Sequence, residues 1–294
     1  MVEKVLLLGA SGLLGKDLHQ SSFFHESDLW APSREELDVS DLAKLSWYLS
    51  RSKPDVVINA AAWTDVDGAE KNEEIVFLIN AESVRVLADY ALNNGKQFIQ
   101  LSTASVFSGT SEKFFQPQDE VNPLNTYNKS KALAEAYCLE RAARGADISV
   151  IRTYWLYGHN GKSFVDFVAT NAISNTGINV VANQWGQPTH SSELATFITK
   201  VATVKNDPRI RHAVNSGRTS RLDLARTIYR HFHSDETLIV STSASVFGAS
   251  APRPEACLLS DSSSDDPNLP EFQTWDQALA EYLDERYPGG GSNT

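Results

Sequence analysis

Apolar and polar positions follow two rhythms along the chain, and the changes between them mark out its elements. Val5 to Leu8 is a short apolar run that stops at Gly9-Ala10-Ser11-Gly12-Leu13-Leu14-Gly15. A run closed by glycines reads as a buried strand, and the segment after it as the start of a helix. A second short strand is expected around Asp28 to Ala31, and Leu42 to Ser50 has helical spacing. Asp55 to Asn59 is apolar again and is entered from Pro54, a residue that belongs outside a strand. From Glu70 to Asn94, Ile75, Leu78, Ile79, Val86, Leu87 and Ala91 recur at helical intervals, and Gly95 supplies the stop. Gln97 to Ser102 and Ile148 to Arg152 read as strands, on either side of a helix from Tyr127 to Ala143.

Strands alternating with helices predict an α/β fold of Rossmann type, a doubly wound, mostly parallel sheet covered on both faces. After Tyr154 the pattern loosens. Helices are expected over Ser163 to Ile173, Glu193 to Val204, Arg221 to Phe232 (capped by Ser220) and Trp275 to Tyr287, with a strand at Ile178 to Val181. Ser260 to Pro270 is polar and turn-rich and reads as a loop, and Pro288 onwards as a frayed tail. Residues 1–153 are therefore read mainly as the sheet domain. Residues 154–288 are read mainly as a smaller lobe over the strand ends, with some elements returning to the sheet, and 289–294 as a tail.

The glycine run sits where a strand meets a helix, which is the context a phosphate-binding turn requires. Gly9 would permit the tight turn, Gly12 would let backbone approach a pyrophosphate, and Gly15 would let helix and strand pack closely. Free N–H groups of the helix start, from Ser11 through Leu13 and Leu14, would then face the phosphates. Three glycines also serve ordinary strand-to-helix turns, so the dinucleotide reading rests on this context. In Ser33 to Val39, Arg34 would pair with a 2'-phosphate and Asp38 would accept from an adenine amino group, with Val39 beside them. That leans towards NADPH, with NADH also compatible; Arg34 fits equally well as a solvent-exposed charge.

Tyr127 and Lys131 are four residues apart at a helix start and so share one face. An unperturbed phenol, with a pKa of about 10, is a poor acid-base group at neutral pH, and a neighbouring ammonium would favour its phenolate. A hydroxyl from Ser102 or Thr103, at the end of the preceding strand, would hold a substrate oxygen beside it. Such a trio suits hydride delivery to a ketone, with Tyr127 giving the proton while Lys131 tunes the phenol and holds the cofactor ribose. Lys129 points away at its spacing. The same tyrosine-lysine spacing also occurs as a simple surface pair on helices, and position in the chain separates the two readings.

Composition narrows the partners. The formal net charge is -11 over 294 residues, a surface that repels nucleic acid and anionic membranes yet tolerates a local phosphate site. No run approaches the roughly 20 apolar residues of a membrane span, and the N-terminal run lacks the form of a secretory signal. A soluble cytoplasmic protein is expected. Cys138 and Cys257 allow one disulfide and exclude a cysteine framework or a cysteine-based zinc site. Glu112, Asp119 and Glu120 match no compact metal motif, so no metal is expected.

Together these residues resemble an extended short-chain dehydrogenase/reductase, and more closely the dTDP-4-dehydrorhamnose reductases, which reduce the 4-keto group of a nucleotide-linked deoxysugar with NAD(P)H. The likeness includes the glycine loop, Asn59 to Glu70, Leu101 to Thr103, Val106 to Gly109, and Pro123 to Lys131. It implies that Ala60, Ala61, Ala62 and Thr64 contact the cofactor, and that Thr103, Tyr127 and Lys131 are catalytic. In the second half, Arg152 to Gly158 resembles the segment whose tryptophan, here Trp155, lines the sugar pocket. Gln184, Gly186, Pro188 and Thr189 match the segment that follows, and Ala251, Arg253, Pro254 and Trp275 echo the C-terminal pattern. Trp155 fits sugar stacking or packing between lobes, and Arg253 a nucleotide diphosphate or a lobe anchor. The resemblance allows a homodimer, although no heptad or apolar stripe derives one.

Two departures stand out. The family usually carries Asp-Tyr after the catalytic threonine, and this chain has Ala104-Ser105. Losing a carboxylate and a phenol from a polar substrate pocket predicts a different sugar, or hydroxyl pattern, or slow turnover. Asn128 and Ala134 replace common glycines and are read as having no direct bearing on the chemistry. The alternative function is a non-catalytic, nucleotide-binding regulatory subunit resembling that of methionine adenosyltransferase. An isomerase or dehydratase of the same fold is disfavoured, because alanine follows Thr103 where an acid-base carboxylate would be needed.

Overall fold

A computed structural model describes residues 4–289 apart from 22–23, 25–27, 110–112, 206, 208, 244–249 and 261–267. Among the described residues, six parallel strands form the central sheet: β1 (Lys4–Leu8), β2 (Asp28–Trp30), β3 (Val56–Asn59), β4 (Gln97–Thr103), β5 (Ile148–Thr153) and β6 (Ile210–His212). Their spatial order is β2-β1-β3-β4-β5-β6. The direction of winding reverses between β1 and β3, and a crevice at the carboxyl ends of strands is where such sheets bind ligands.

The strands are apolar on both faces because both faces are covered. On one face Val5, Leu7, Val56, Ile58, Ile99 and Ile151 pack with Leu14 and Leu18 of α1 (Leu13–Gln20) and with Leu194, Phe197, Ile198 and Val201 of α8 (Ser191–Thr203). On the other, Leu6, Leu8, Val57, Phe98 and Val150 meet α2 (Leu42–Ser52), α5 (Ser83–Asn94) and α6 (Thr126–Ala143) through Leu45, Leu49, Leu87 and Ala134. A third cluster joins α7 (Phe164–Ile173), α9 (Arg221–His231) and α10 (Trp275–Arg286) through Val168, Leu224, Ile228, Leu279 and Leu283. Two-stranded pairs, such as Ile178–Val181 with Ile239–Thr242, edge the second half of the chain.

Two departures from the expected elements bear on the central sheet and its helices. The helix expected over Glu70 to Asn94 is interrupted. A short α3 (Val66–Ala69) is followed by α4 (Glu73–Phe77), a widened π turn at Leu78–Glu82, and then α5. Asn72, with φ −129° and ψ 37°, breaks the path between α3 and α4. Within the π turn, Asn80 Oδ1 accepts from the Trp63 N–H at 2.8 Å, and Nδ2 donates to Trp63 O at 3.2 Å and to Ser130 Oγ at 3.0 Å. A helix widened at a point where a side chain ties two other elements together is a known way of meeting a functional constraint. The second departure is β6, three residues that join β5 as a parallel strand, with His212 opposite Arg152.

Cys138 and Cys257 are both buried and free. The loop reading for Ser260 to Pro270 and the tail reading fall largely outside the described residues, as does Glu112. Asp119 is paired with Lys113 at 2.9 Å. Among the described residues no helix is long and apolar enough to cross a membrane.

Candidate active site

A cavity of about 570 Å³ opens at the carboxyl ends of β1, β3, β4 and β5. Gly9, Ser11, Gly12, Leu13, Leu14 and Gly15 form one wall. The turn is tight because the backbone requires glycine there: Gly9 has φ +80°, and a Cβ on it would sit 2.6 Å from Ala61 N. A Cβ on Gly15 would stand 2.0 Å from Gly9 O, so helix and strand touch directly at that point. Gly12 is the N-cap of α1, with no side-chain cap and no acidic residue in the first turn. The first-turn N–H groups and the positive end of the helix are therefore available to an anion. This glycine cradle fits the diphosphate of a dinucleotide.

Arg34, Asp38 and Val39 line the rim of the same cavity. Arg34 is largely exposed and its Nε donates to Asp38 Oδ2 at 3.2 Å. The other Asp38 oxygen accepts from Ser40 N at 2.9 Å and Ser40 Oγ at 2.7 Å. The Ser40 hydrogen bonds, ahead of Arg34, hold the Asp38 carboxyl below its ordinary value. Ala60, Ala61, Ala62 and Thr64 form the facing wall. Asn59 sets that loop, accepting from Ala61 N at 3.1 Å while its amide donates to Gln100 Oε1 at 2.8 Å. The Asn80 clamp then fixes its far end to α6.

The opposite wall carries Ser102, Thr103, Tyr127 and Lys131. Asn125 caps α6 by accepting from Asn128 N at 2.8 Å, and Glu70 adds a second cap on Thr126 N at 2.8 Å. Two caps fix the first turn, where Tyr127 stands half-buried in the cavity wall. Removal of water from around it pushes the Tyr127 phenol up to about 12. Lys131, only 3% exposed, donates from Nζ to Leu101 O at 2.6 Å. Burial brings its ammonium down to about 8, with Glu135 opposing that shift. Burial is the dominant cause in both groups and outweighs any pull of Lys131 on the phenol. Tyr127 stays protonated at neutral pH, the state a proton donor requires.

Ser102 and Thr103 separate in role. Ser102 Oγ donates to Glu135 Oε1 at 2.5 Å, so its hydrogen is committed away from the cavity. Glu135 is buried with Arg152 Nη2 2.7 Å from its Oε2, an ion pair that Arg152 Nη1 extends to Pro117 O at 3.1 Å. Thr103 also lines the cavity, with its Oγ1 2.9 Å from Ser105 Oγ. Directly beside it in strand register stands Thr153, which lines the cavity; its Oγ1 is buried and, among the described residues, without a hydrogen-bond partner. Sequence reasoning missed Thr153, since only strand pairing places it next to Thr103.

Trp155 also lines the cavity, in a left-handed conformation with φ +43°. Such a backbone is costly for a bulky residue and marks a position fixed by its surroundings. Arg221 lies over the indole at 3.9 Å from the ring centroid, and Tyr154 stacks beside it at 5.3 Å. A Cβ on Gly186 would meet that ring at 2.8 Å, which explains glycine there.

Four residues expected at the substrate lie elsewhere. Ala104 is fully buried with Val106, Phe107, Val214 and Cys257, and so presents nothing to the cavity. Ser105 is buried behind Thr103, with its hydroxyl 2.7 Å from Asn128 Oδ1. Asn128 thus reaches the residue behind Thr103. Gln184 lies outside the cavity lining; its carbonyl accepts from Arg221 N at 2.9 Å. Arg253 is also outside it, with Nη2 2.6 Å from Asp67 Oδ2, and this contact comes first among the causes that lower Asp67 to about 2. The guanidinium anchors the 250–253 segment to α3.

The family described as RmlD substrate binding domain matches residues 3–287. The chain is 32% identical over 283 residues to the spore coat polysaccharide biosynthesis protein SpsK of Bacillus subtilis, covering 96% of this chain and 98% of that one. It is 32% identical over 277 residues to a probable dTDP-4,6-dihydroxy-2-methyloxan-3-one 4-ketoreductase of Streptomyces antibioticus, covering 94% and 93%. The crystal structure of dTDP-4-dehydrorhamnose reductase from Bacillus anthracis in complex with NADP superposes with a TM-score of 0.89 at 27% identity, covering 97% of this chain and all of that one. These likenesses run along nearly the whole length, and the chain belongs to the RmlD substrate-binding-domain family.

Proposed function

We propose that this chain reduces the 4-keto group of a nucleotide-linked deoxysugar, dTDP-4-dehydrorhamnose or a related sugar, with NADPH or NADH as hydride donor. The observation that carries the reading is that the glycine turn, Thr103, Tyr127 and Lys131 line one continuous cavity. The nicotinamide cofactor, when bound, supplies the hydride. The chain supplies the rest. First-turn N–H groups of α1 hold the diphosphate, and the rim residues Arg34 and Asp38 meet the adenosine end. Thr103 donates to the ketone oxygen, and Tyr127 delivers its proton to that oxygen as it gains negative charge. Lys131, charged below about 8, stabilises the phenolate that remains. Residues 1–153 form the cofactor side of the cleft and 154–288 the sugar side, where Trp155 offers an aromatic face.

Relatives act on more than one dTDP-sugar, and both residues after Thr103 face away from the cavity, so the sugar is identified by assay. Purified chain is mixed with NADPH and a panel of dTDP-4-keto-6-deoxy sugars, and nicotinamide oxidation is followed. Oxidation with at least one of them is expected. Tight NADPH binding with no oxidation by any panel member would contradict the reading and favour the regulatory one.

A further inference from the structure

A row of polar side chains runs back from Thr103, and its members beyond Thr103 have no part in the scheme above. Thr103 Oγ1 and Ser105 Oγ are 2.9 Å apart, and the Ser105 N–H donates to Thr103 Oγ1 at 3.2 Å. Ser105 Oγ then meets the Asn128 amide, 2.7 Å from Oδ1. Asn128 is 1% exposed, and among the described residues its Nδ2 has no hydrogen-bond partner. The row begins in the cavity wall and ends on a buried, half-satisfied amide.

Counting hydrogens shows what the row can do. Ser105 and Thr103 have one hydroxyl hydrogen each. With Oδ1 towards Ser105, the amide takes the serine hydrogen, and the threonine hydrogen can turn either to Ser105 or to the cavity. Rotating the Asn128 amide by half a turn removes that choice. Nδ2 then donates to Ser105, and the arrangement that pairs every hydrogen has Ser105 donate to Thr103 and the Thr103 hydrogen enter the cavity. The rotation also gives the orphaned Nδ2 a partner and leaves a carbonyl oxygen unpaired, the less costly deficit by analogy with backbone groups. Which orientation an amide takes is decided by its hydrogen-bond network, and a ketone oxygen beside Thr103 favours the second.

We propose that Ser105 and Asn128 are positioning residues that aim the Thr103 hydroxyl at the ketone oxygen. This rests on the keto-reduction reading. Neither side chain touches substrate, so their loss acts on the transition state through Thr103, where the oxygen acquires charge.

The test is steady-state reduction by the full chain of whichever panel sugar it turns over best. Variants are Ser105→Ala, Asn128→Ala, the double variant and Ser105→Thr, with NADPH affinity and Tm measured for each. Both single changes are expected to lower kcat by roughly tenfold to a hundredfold, less than the ~100- to 1000-fold typical of losing a direct oxyanion donor. KM and NADPH affinity should stay close to the parent's. The double variant should be no slower than the worse single, because one row is cut once or twice. Ser105→Thr, which keeps the hydroxyl, should recover most of the rate. Parent-like kcat in Ser105→Ala and Asn128→Ala, losses that multiply in the double variant, or a rise in KM alone would overturn the positioning role while leaving keto reduction intact. A parent chain that oxidises NADPH with no panel sugar would overturn both.

Discussion

Burial sets the titration of Tyr127 and Lys131 more than their spacing does. Spacing alone says that an ammonium makes the phenol more acidic. Burial instead raises the phenol to about 12 and lowers the ammonium to about 8. A depressed lysine is charged below that value and neutral above it. The Tyr127 phenolate formed on proton delivery therefore loses its nearby cation as pH rises through about 8, long before the phenol itself titrates. The predicted alkaline limb of kcat/KM for reduction falls near 8 and belongs to Lys131. A profile that stays flat to pH 10 or beyond would show that the lysine charge takes no part.

At the scale of elements, the site depends on close approaches that only particular residues allow. Gly15 is the sharpest case, with Gly9 O 2.0 Å from where a Cβ would be. The obstacle is backbone, so Gly15→Ala must push α1 away from β1. Overpacking of this kind costs roughly 1–3 kcal/mol. The shift also moves the N–H groups that would hold the diphosphate. Gly15→Ala is predicted to lower Tm and weaken NADPH binding at least about tenfold, equivalent to about 1.4 kcal/mol. Thermal denaturation and fluorescence titration check both; unchanged cofactor affinity would detach the glycine turn from the cofactor.

How much of this was legible depended on whether the signal was local. The glycine turn and the tyrosine-lysine face are set by spacings of a few residues, and the sequence declares them. The π turn was hidden because one widened turn barely disturbs a helical apolar pattern, and what holds it is Asn80 reaching Trp63 and Ser130. Thr153 appears only once β4 and β5 are in register. Arg253 looked like a ligand for phosphate because its partner, Asp67, lies far away along the chain. Asn128 looked inert because its contact is a serine that reaches it only in three dimensions.

On the scale of the whole molecule, the sheet brings residues from Gly9 to Trp155 around one opening. Helices α7, α9 and α10 have an apolar core of their own, and Trp155 and Arg221 stand between that core and the cavity. The central claim is that this opening joins a hydride donor to a ketone through the Tyr127 proton. The most direct test compares parent and Tyr127→Phe with NADPH and the preferred keto sugar, measuring nicotinamide oxidation and cofactor affinity together. The phenylalanine variant is predicted to bind NADPH like the parent and to turn over ~100- to 10,000-fold more slowly, the range for loss of a general acid. Equal turnover in the two proteins would contradict the account.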